Sequence, residues 1–246
     1  MAAKISLEQL LLTGAHFGHQ TRRWNPKMAK YIYGSSDDVH IFDLEQTAQL
    51  LNEAIVYLKE ASKAGKTILF VGTKKQAKDK IKEVAQELEA PYVNERWLGG
   101  LLTNFEQIKR SIRKLSDMET QKAAGEYKKF TKKEQLLLDR EITRLERFFG
   151  GLRKLSTAPD IIFVIDIKKE ATALREAKRT GVEVVAIVDS NSDPTTVDYP
   201  IPMNDDAKKA LEYVLDLIRE ELQPKKVETA VEPKTIKVKA KESKKE

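Results

Sequence analysis

The chain has no cysteine among its 246 residues. Disulfides, thiolate metal ligands, thiol nucleophiles and iron–sulfur ligation are therefore closed to it, and the make-up fits a reducing compartment. Long apolar runs are missing too: stretches such as Thr67 to Val71 and Ile161 to Ile165 fall far below the roughly 18 residues of a membrane span. Met1 to Leu12 lacks the basic start and long apolar stretch of a secretory signal and the Arg-rich, acid-poor make-up of a transit peptide. The expectation is a cytoplasmic protein that binds no membrane. Glycine is sparse, 11 residues in all, and no turn carries the several glycines of a dinucleotide or P-loop phosphate cradle. Gly-x-Ser-x-Gly and His-Glu-x-x-His do not occur, so the nucleophile elbow and the helical zinc-protease motif are excluded.

Charge is what the chain has in excess, at 33% of residues with a net value of +6. It is unevenly placed. Residues 1–105 carry 14 basic and 12 acidic side chains, 106–157 carry 14 and 8, 158–222 carry 8 and 14, and 223–246 carry 8 and 4. Separable basic patches suit a polyanion binder, because each cation that neutralises a phosphate releases counterions locally. The acidic stretch would then face away from the polyanion or towards a cation or basic partner. For any single lysine, a solvated surface is the simpler explanation.

Apolar spacing divides the chain. Ser6 to Thr13 reads as a short helix with Ser6 as N-cap and Gly14 as its stop, and His16 to Met28 matches neither period and reads as an ordered loop. Tyr31 to Tyr33 and Val39 to Phe42 read as a hairpin, followed by an amphipathic helix over 43–63. Strands are predicted at 67–71, 92–93, 160–165, 183–188 and 199–201, with helices at 74–89, 169–180 and 205–222. Short, nearly continuous apolar strands between amphipathic helices predict an α/β fold, a three-layer, doubly wound, mostly parallel sheet of Rossmann or flavodoxin type. Between its halves the period changes: Ile108, Ile112, Leu115 and Met118, then Leu138, Ile142, Leu145, Phe149 and Leu152, fall at threes and fours among Lys, Arg and Glu. That pattern predicts an inserted antiparallel coiled-coil hairpin, with Thr131 and Glu134 as a capping box. The predicted divisions are 1–103 and 158–222 for the α/β domain, 104–157 for the hairpin, and 223–246 for a disordered basic tail.

Four places carry chemistry. Gln20 to Lys30 interleaves Arg22, Arg23, Lys27 and Lys30 with Trp24, a combination that grips phosphates and offers a face for stacking. Val71-Gly72-Thr73-Lys74-Lys75 has a single glycine, so it is a weak nucleotide site; a nucleic-acid phosphate beside Lys74 or Lys75 and an ordinary strand-to-helix turn both remain open. Asn94 to Gly100 repeats the pairing of cation and indole in Arg96 and Trp97, although Trp97, flanked by leucine, reads better as a core anchor. Asp189, Asp193, Asp205 and Asp206 would meet at the carboxyl edge of a parallel sheet, where a hard cation such as Mg²⁺ relieves their repulsion. The competing reading is a turn at Asp193-Pro194 and a helix start at Asp205 and Asp206. His16 and His19, three apart, lack an evident third ligand and read as packing residues. An α/β enzyme acting on a phosphorylated ligand is the alternative to an RNA binder, but no placed general base supports it.

Gly14 to Met28, Phe70 to Lys74, Arg96 to Asn104 and Asp189 to Pro194 together resemble the bacterial small-subunit ribosomal protein S-two family, in order over residues 5 to about 222. The resemblance implies a structural, non-enzymatic subunit that needs no cofactor and takes no small-molecule substrate. It implies binding to small-subunit rRNA near the junction of head and body, contact with other small-subunit proteins, and help in holding ribosomal protein S-one for mRNA recruitment. Carried onto matching positions, it implies RNA contacts at Arg22, Arg23, Trp24, Lys27, Lys74, Lys75 and Arg96, and a cation near Asp189 and Asp205. The Lys-rich tail lies outside it.

Overall fold

Ser6 accepts a hydrogen bond from the Gln9 N–H at 3.3 Å and caps helix α1 (Leu7–Leu12), after which Gly14 turns the chain at φ +80°. A computed structural model describes residues 5–223, so all but the first position of the predicted basic tail lies outside the described residues. Strand β1 (Phe17–Gln20) follows, then a turn of 3-10 helix and the hairpin β2 (Ile32–Ser36) and β3 (Val39–Phe42), forming an antiparallel sheet in the order β1-β3-β2. The expectation of loop from His16 to Met28 is corrected at β1. Its four residues are short and partly exposed, so no alternation marks them, and pairing with β3 alone makes them a strand. Asp37 and Asp38 join β2 to β3 at φ +49° and +61°. Two left-handed residues give the turn whose twist matches the flanking strands, and aspartate tolerates that region better than most residues.

Asp43 opens helix α2 (Leu44–Lys63), its carboxylate accepting from the Glu45 and Gln46 N–H groups at 3.0 and 3.4 Å; such a cap contributes about 1 kcal/mol. Then come β4 (Ile68–Val71), α3 (Lys78–Glu87), β5 (Tyr92–Val93), α4 (Phe105–Ala123), α5 (Lys132–Phe149), β6 (Ile161–Ile165), α6 (Ala171–Thr180), β7 (Glu183–Val188), β8 (Tyr199–Pro202) and α7 (Lys208–Leu222). The strands form one parallel sheet in the order β5-β4-β6-β7-β8. Alternate side chains divide between its faces. Phe70, Phe163 and Ile187 pack with Leu51, Ile55, Ile81 and Val214 from α2, α3 and α7, while Val71, Val164 and Val188 pack with Leu174 of α6, Trp97 and Phe42. Each large side chain fully buried in these two layers contributes roughly 1.5–3 kcal/mol. The sheet is thus covered on both faces, a Rossmann-like α/β arrangement.

Three predicted helices start later than their spacing suggests. Helix α3 begins at Lys78 rather than Lys74, α6 at Ala171 rather than Lys169, and α7 at Lys208 rather than Asp205. In each case the missing turn lies at the carboxyl edge of the sheet, where its side chains bond across to other loops.

Helices α4 and α5 pack on each other through Leu115, Met118 and Leu145, a small apolar cluster separate from both faces of the body. Lys114–Glu141 and Lys122–Asp139 bridge them at 3.1 and 2.9 Å, exposed pairs of the kind that contribute roughly 0–1 kcal/mol each. Thr131 and Glu134 make the expected capping box: the Glu134 carboxylate accepts from the Thr131 N–H at 2.9 Å and Thr131 Oγ1 from the Glu134 N–H at 3.4 Å. Where the chain returns to the body, a Cβ on Gly151 would lie 2.3 Å from the Tyr92 carbonyl oxygen, so only glycine passes there. No described helix is long and apolar enough to cross a membrane.

Candidate nucleic-acid interface

The loop after β1 is held by its backbone and leaves its charges outside. The Asn25 N–H donates to the Ser190 carbonyl at 2.8 Å, and Asn25 Oδ1 accepts from the Lys27 N–H at 3.0 Å, capping the turn over Pro26–Tyr31. Met28 and Tyr31 are the buried anchors of that turn. Arg22, Arg23 and Lys30 are exposed, and none pairs with a carboxylate among the described residues; Arg22 Nε donates to Gln20 Oε1 and Lys30 lies 4.6 Å from the Tyr31 ring centre. Trp24 is 37% exposed, with one face tilted against His40 at 4.9 Å and the rest open. Lys27 differs, being paired to Asp193 at 2.6 Å. The loop presents three uncommitted cations around an accessible indole.

The carboxylates are less uniform than their sequence suggests. Asp189 and Asp205 are 1% exposed, while Asp206 is exposed. Asp189 accepts from the Ser190 N–H and hydroxyl through Oδ1 and from the Asp205 N–H through Oδ2, and His19 Nδ1 lies 2.9 Å from Oδ1. Asp193 stands apart: it caps the turn at Pro194–Thr196 and pairs with Lys27. Into the remaining group projects Lys74, its Nζ 2.6 Å from Asp205, 2.6 Å from Asp206 and 3.4 Å from Asp166. The Lys74 ammonium is therefore the internal counter-ion of this edge. Lys75, next to it, is exposed, with no carboxylate partner among the described residues.

The electrostatics follow from four carboxylates sharing one ammonium and one imidazole. Burial, joined by Asp189 and Asp166, pushes the Asp205 carboxyl up against the opposing pull of Lys74. Burial alone would lower the Lys74 pKa, but Asp205, Asp206 and Asp166 outweigh it and hold the proton on more tightly than usual. The hydrogen bond to Asp189 raises His19, over a smaller opposing effect of burial. His16 takes no part; it packs on Phe17 at 4.0 Å and burial lowers its pKa. His19, Asp205 and Asp206 bring ligand atoms within 4.8 Å of one another. The close fit of β1 is sterically enforced, since a Cβ on Gly18 would stand 2.8 Å from Ser190 Oγ and 3.2 Å from the His40 carbonyl oxygen.

Strand order reverses between β4 and β6, the place where open α/β sheets usually hold a ligand. Here it is occupied by the protein's own groups. Thr73 Oγ1 donates to the buried Glu170, Lys169 Nζ donates to the Thr73 carbonyl at 3.0 Å, and Lys74 reaches Asp166.

The loop over 94–104 is also turned inward. Trp97 is buried and its Nε1–H donates to Glu176 at 3.1 Å; the Gly100, Leu102 and Thr103 N–H groups and the Thr103 hydroxyl donate to the same carboxylate at 2.8 to 3.3 Å. Arg96 is exposed and forms no ion pair among the described residues. Sequence reasoning places Trp97 in the core but misses Glu176. The signal was there: Glu176 falls on the stripe of Ala173, Leu174 and Ala177, and an acid on an apolar stripe implies donors facing it. His19 and Asp166 are missed for a different reason, since only the fold brings residues 19, 74, 166 and 205 together.

These same stretches are shared with known proteins. The family profile of ribosomal protein S2 matches residues 10–223. The small ribosomal subunit protein uS2 of Wolinella succinogenes is 49% identical over 219 residues, covering 89% of this chain and 81% of that protein. The uS2 of Mesorhizobium japonicum is 51% identical over 213 residues, covering 87% and 82%, and that of Brucella ovis is 51% identical over 213 residues, covering 87% and 84%. With a profile match from α1 to the end of α7 and identity near one half, the chain belongs to the ribosomal protein S2 family.

Proposed function

We propose that this protein is a structural, non-enzymatic constituent of the small ribosomal subunit in the cytoplasm, binding small-subunit rRNA and other small-subunit proteins and helping to hold ribosomal protein S-one. The observation that carries the reading is the loop after β1, where Arg22, Arg23 and Lys30 are exposed, with no carboxylate partner among the described residues, beside an accessible Trp24. Free cations next to an indole bind phosphate and stack on bases. Lys75 and Arg96 extend the surface, whereas Lys27 and Lys74 serve it through their partners Asp193 and Asp205. The self-filled crevice between β4 and β6 supports the absence of a phosphorylated substrate. In this reading residues 1–103 and 158–222 form the RNA-docking body, 104–157 a coiled-coil arm built on α4 and α5, and 223–246 a nonspecific basic extension.

The test is co-sedimentation of a tagged copy with small subunits, freed by RNase, together with salt-dependent binding to an rRNA transcript. The Arg22→Ala, Arg23→Ala double variant is expected to weaken binding and reduce the log–log salt slope by about two, because each phosphate contact contributes close to one. An unchanged slope places this loop away from the RNA.

A divalent cation belongs to the same proposal. His19, Asp205 and Asp206 offer a mixed nitrogen and oxygen set with ligand atoms within 4.8 Å, and the surplus negative charge of the edge favours a cation; Asp189 orients His19. Mg²⁺ suits the carboxylates, and the imidazole admits ions that accept nitrogen. The ion would serve structure by neutralising charge that Lys74 only partly balances. Titration calorimetry with MgCl₂ is expected to give heat that disappears in Asp206→Asn, and no heat with the wild type refutes Mg²⁺ binding.

A further inference from the structure

Beyond the carboxyl ends of β6 and β7 lies a cavity of about 410 Å³ that the proposed contacts leave unused. Its size falls within the roughly 300–1,000 Å³ of small-ligand sites. Ile167 and Leu174, both buried, supply an apolar floor. Lys168, Arg175 and Lys178 stand exposed around it, and none has a carboxylate partner among the described residues; the Arg175 guanidinium bonds only to Ala171 and Thr172 of its own helix. Asp193 is the one acid in the lining, and Lys27 neutralises it at 2.6 Å.

That ion pair is also the seam between two surfaces. Lys27 belongs to the basic loop and Asp193 to the cavity wall, and Lys27 reaches Thr195 of the same turn at 3.2 Å. The cavity therefore continues the surface that carries Arg22, Arg23 and Trp24.

We infer that this cavity receives an unstacked nucleotide of the bound RNA, with its base on Ile167 and Leu174 and the flanking phosphates on Lys168, Arg175 and Lys178. Three cations without counter-ions among the described residues call for an anion. The small apolar floor calls for one flat ring at a time, and single-stranded RNA supplies both by splaying bases out of the stack. The inference rests on the RNA-binding reading above.

The test uses the full chain and a small-subunit rRNA transcript in filter binding across a salt series. Ala171→Trp, at an exposed lining position, plugs the cavity without changing charge; it is expected to lose about tenfold in affinity with an unchanged salt slope. The Lys168→Ala, Arg175→Ala, Lys178→Ala variant is expected to lower the slope by about two, at close to 0.7 per single-strand phosphate. All three positions are exposed, and an unchanged thermal midpoint for each variant confirms that folding is intact. If both cavity variants bind like the wild type while Arg22→Ala, Arg23→Ala still weakens binding, the cavity is not an RNA site although the protein binds RNA. If all three behave as a binding wild type, neither the loop nor the cavity is at the RNA and the inference is wrong; if the wild type itself does not bind the transcript, the RNA-binding reading fails. If the cavity variants spare RNA binding but lose another protein from reconstituted subunits, the face takes an acidic protein and the inference is wrong.

Discussion

Glu176→Ala is expected to lower folding stability by about 3–5 kcal/mol, a large part of the roughly 5–15 kcal/mol that holds a domain folded. One carboxylate receives five hydrogen bonds from Trp97, Gly100, Leu102 and Thr103. Removing it strands the Trp97 and Leu102 donors in a dry interior, where each unsatisfied group costs about 1–3 kcal/mol, while water can reach the half-exposed Gly100. Glu176→Gln keeps one accepting oxygen but turns an amide N–H₂ towards donors, so an intermediate loss is expected. Urea unfolding followed by tryptophan emission measures both; a loss under about 0.5 kcal/mol for the alanine variant shows that the clamp is not structural. The pH dependence has a definite sign. Burial raises the Glu176 carboxyl, but the hydrogen bonds from Gly100, Trp97, Leu102 and Thr103 outweigh it and leave the pKa lowered. Its contribution is therefore fully present above the unfolded value of about 4.3 and is lost as pH falls through the lower folded value. The alanine variant should lack that acid-dependent component.

Lys74→Met is expected to cost about 2–4 kcal/mol at pH 8 and clearly less at pH 5. Lys74 balances Asp205 and Asp166 at the sheet edge, and breaking a buried pair from one side leaves charge without compensation. Asp205 already has a raised pKa from burial, Asp189 and Asp166. Between the unfolded aspartate value of about 3.9 and the raised folded value, the native state binds more protons than the unfolded chain, so stability falls as pH rises across that window. Without Lys74 the folded value rises further and the fall extends to higher pH. Denaturant midpoints at the two pH values decide it; equal losses at both would place the role of Lys74 outside this cluster.

The nearly continuous apolar runs of Ile68 to Val71, Ile161 to Ile165 and Glu183 to Val188 made the central sheet legible, because each strand buries both faces and needs no partner to be recognised. The helical stripes of α2, α4 and α5 were legible for the same reason: their period is local. What stayed hidden is what distant segments make together. Lys74 and Asp205 are 131 residues apart and His19 and Ser190 are 171 apart, so no spacing announces their contacts. Those contacts shorten α3 and α7 and turn Lys74 from an outward cation into an inward one. The exposed character of Arg22 and Arg23 could be read from the sequence, whereas the separation of Asp193 from the other aspartates required Lys27 to be seen beside it.

The basic loop is made early and fastened late. Its supports come from the far end of the chain: the Asn25 N–H needs the Ser190 carbonyl, Lys27 needs Asp193, and just before it the His19 N–H needs Ser190 Oγ. At synthesis rates of roughly 5–20 residues per second, the interval between Arg22 and Ser190 is on the order of ten to thirty seconds. During that time the loop has only its local contacts, such as the Asn25 cap on the Lys27 N–H, and lacks the three distant ones. A chain interrupted before β7 and its following turn would carry the cations without their arrangement, so the formed loop marks a protein whose synthesis has passed Asp193.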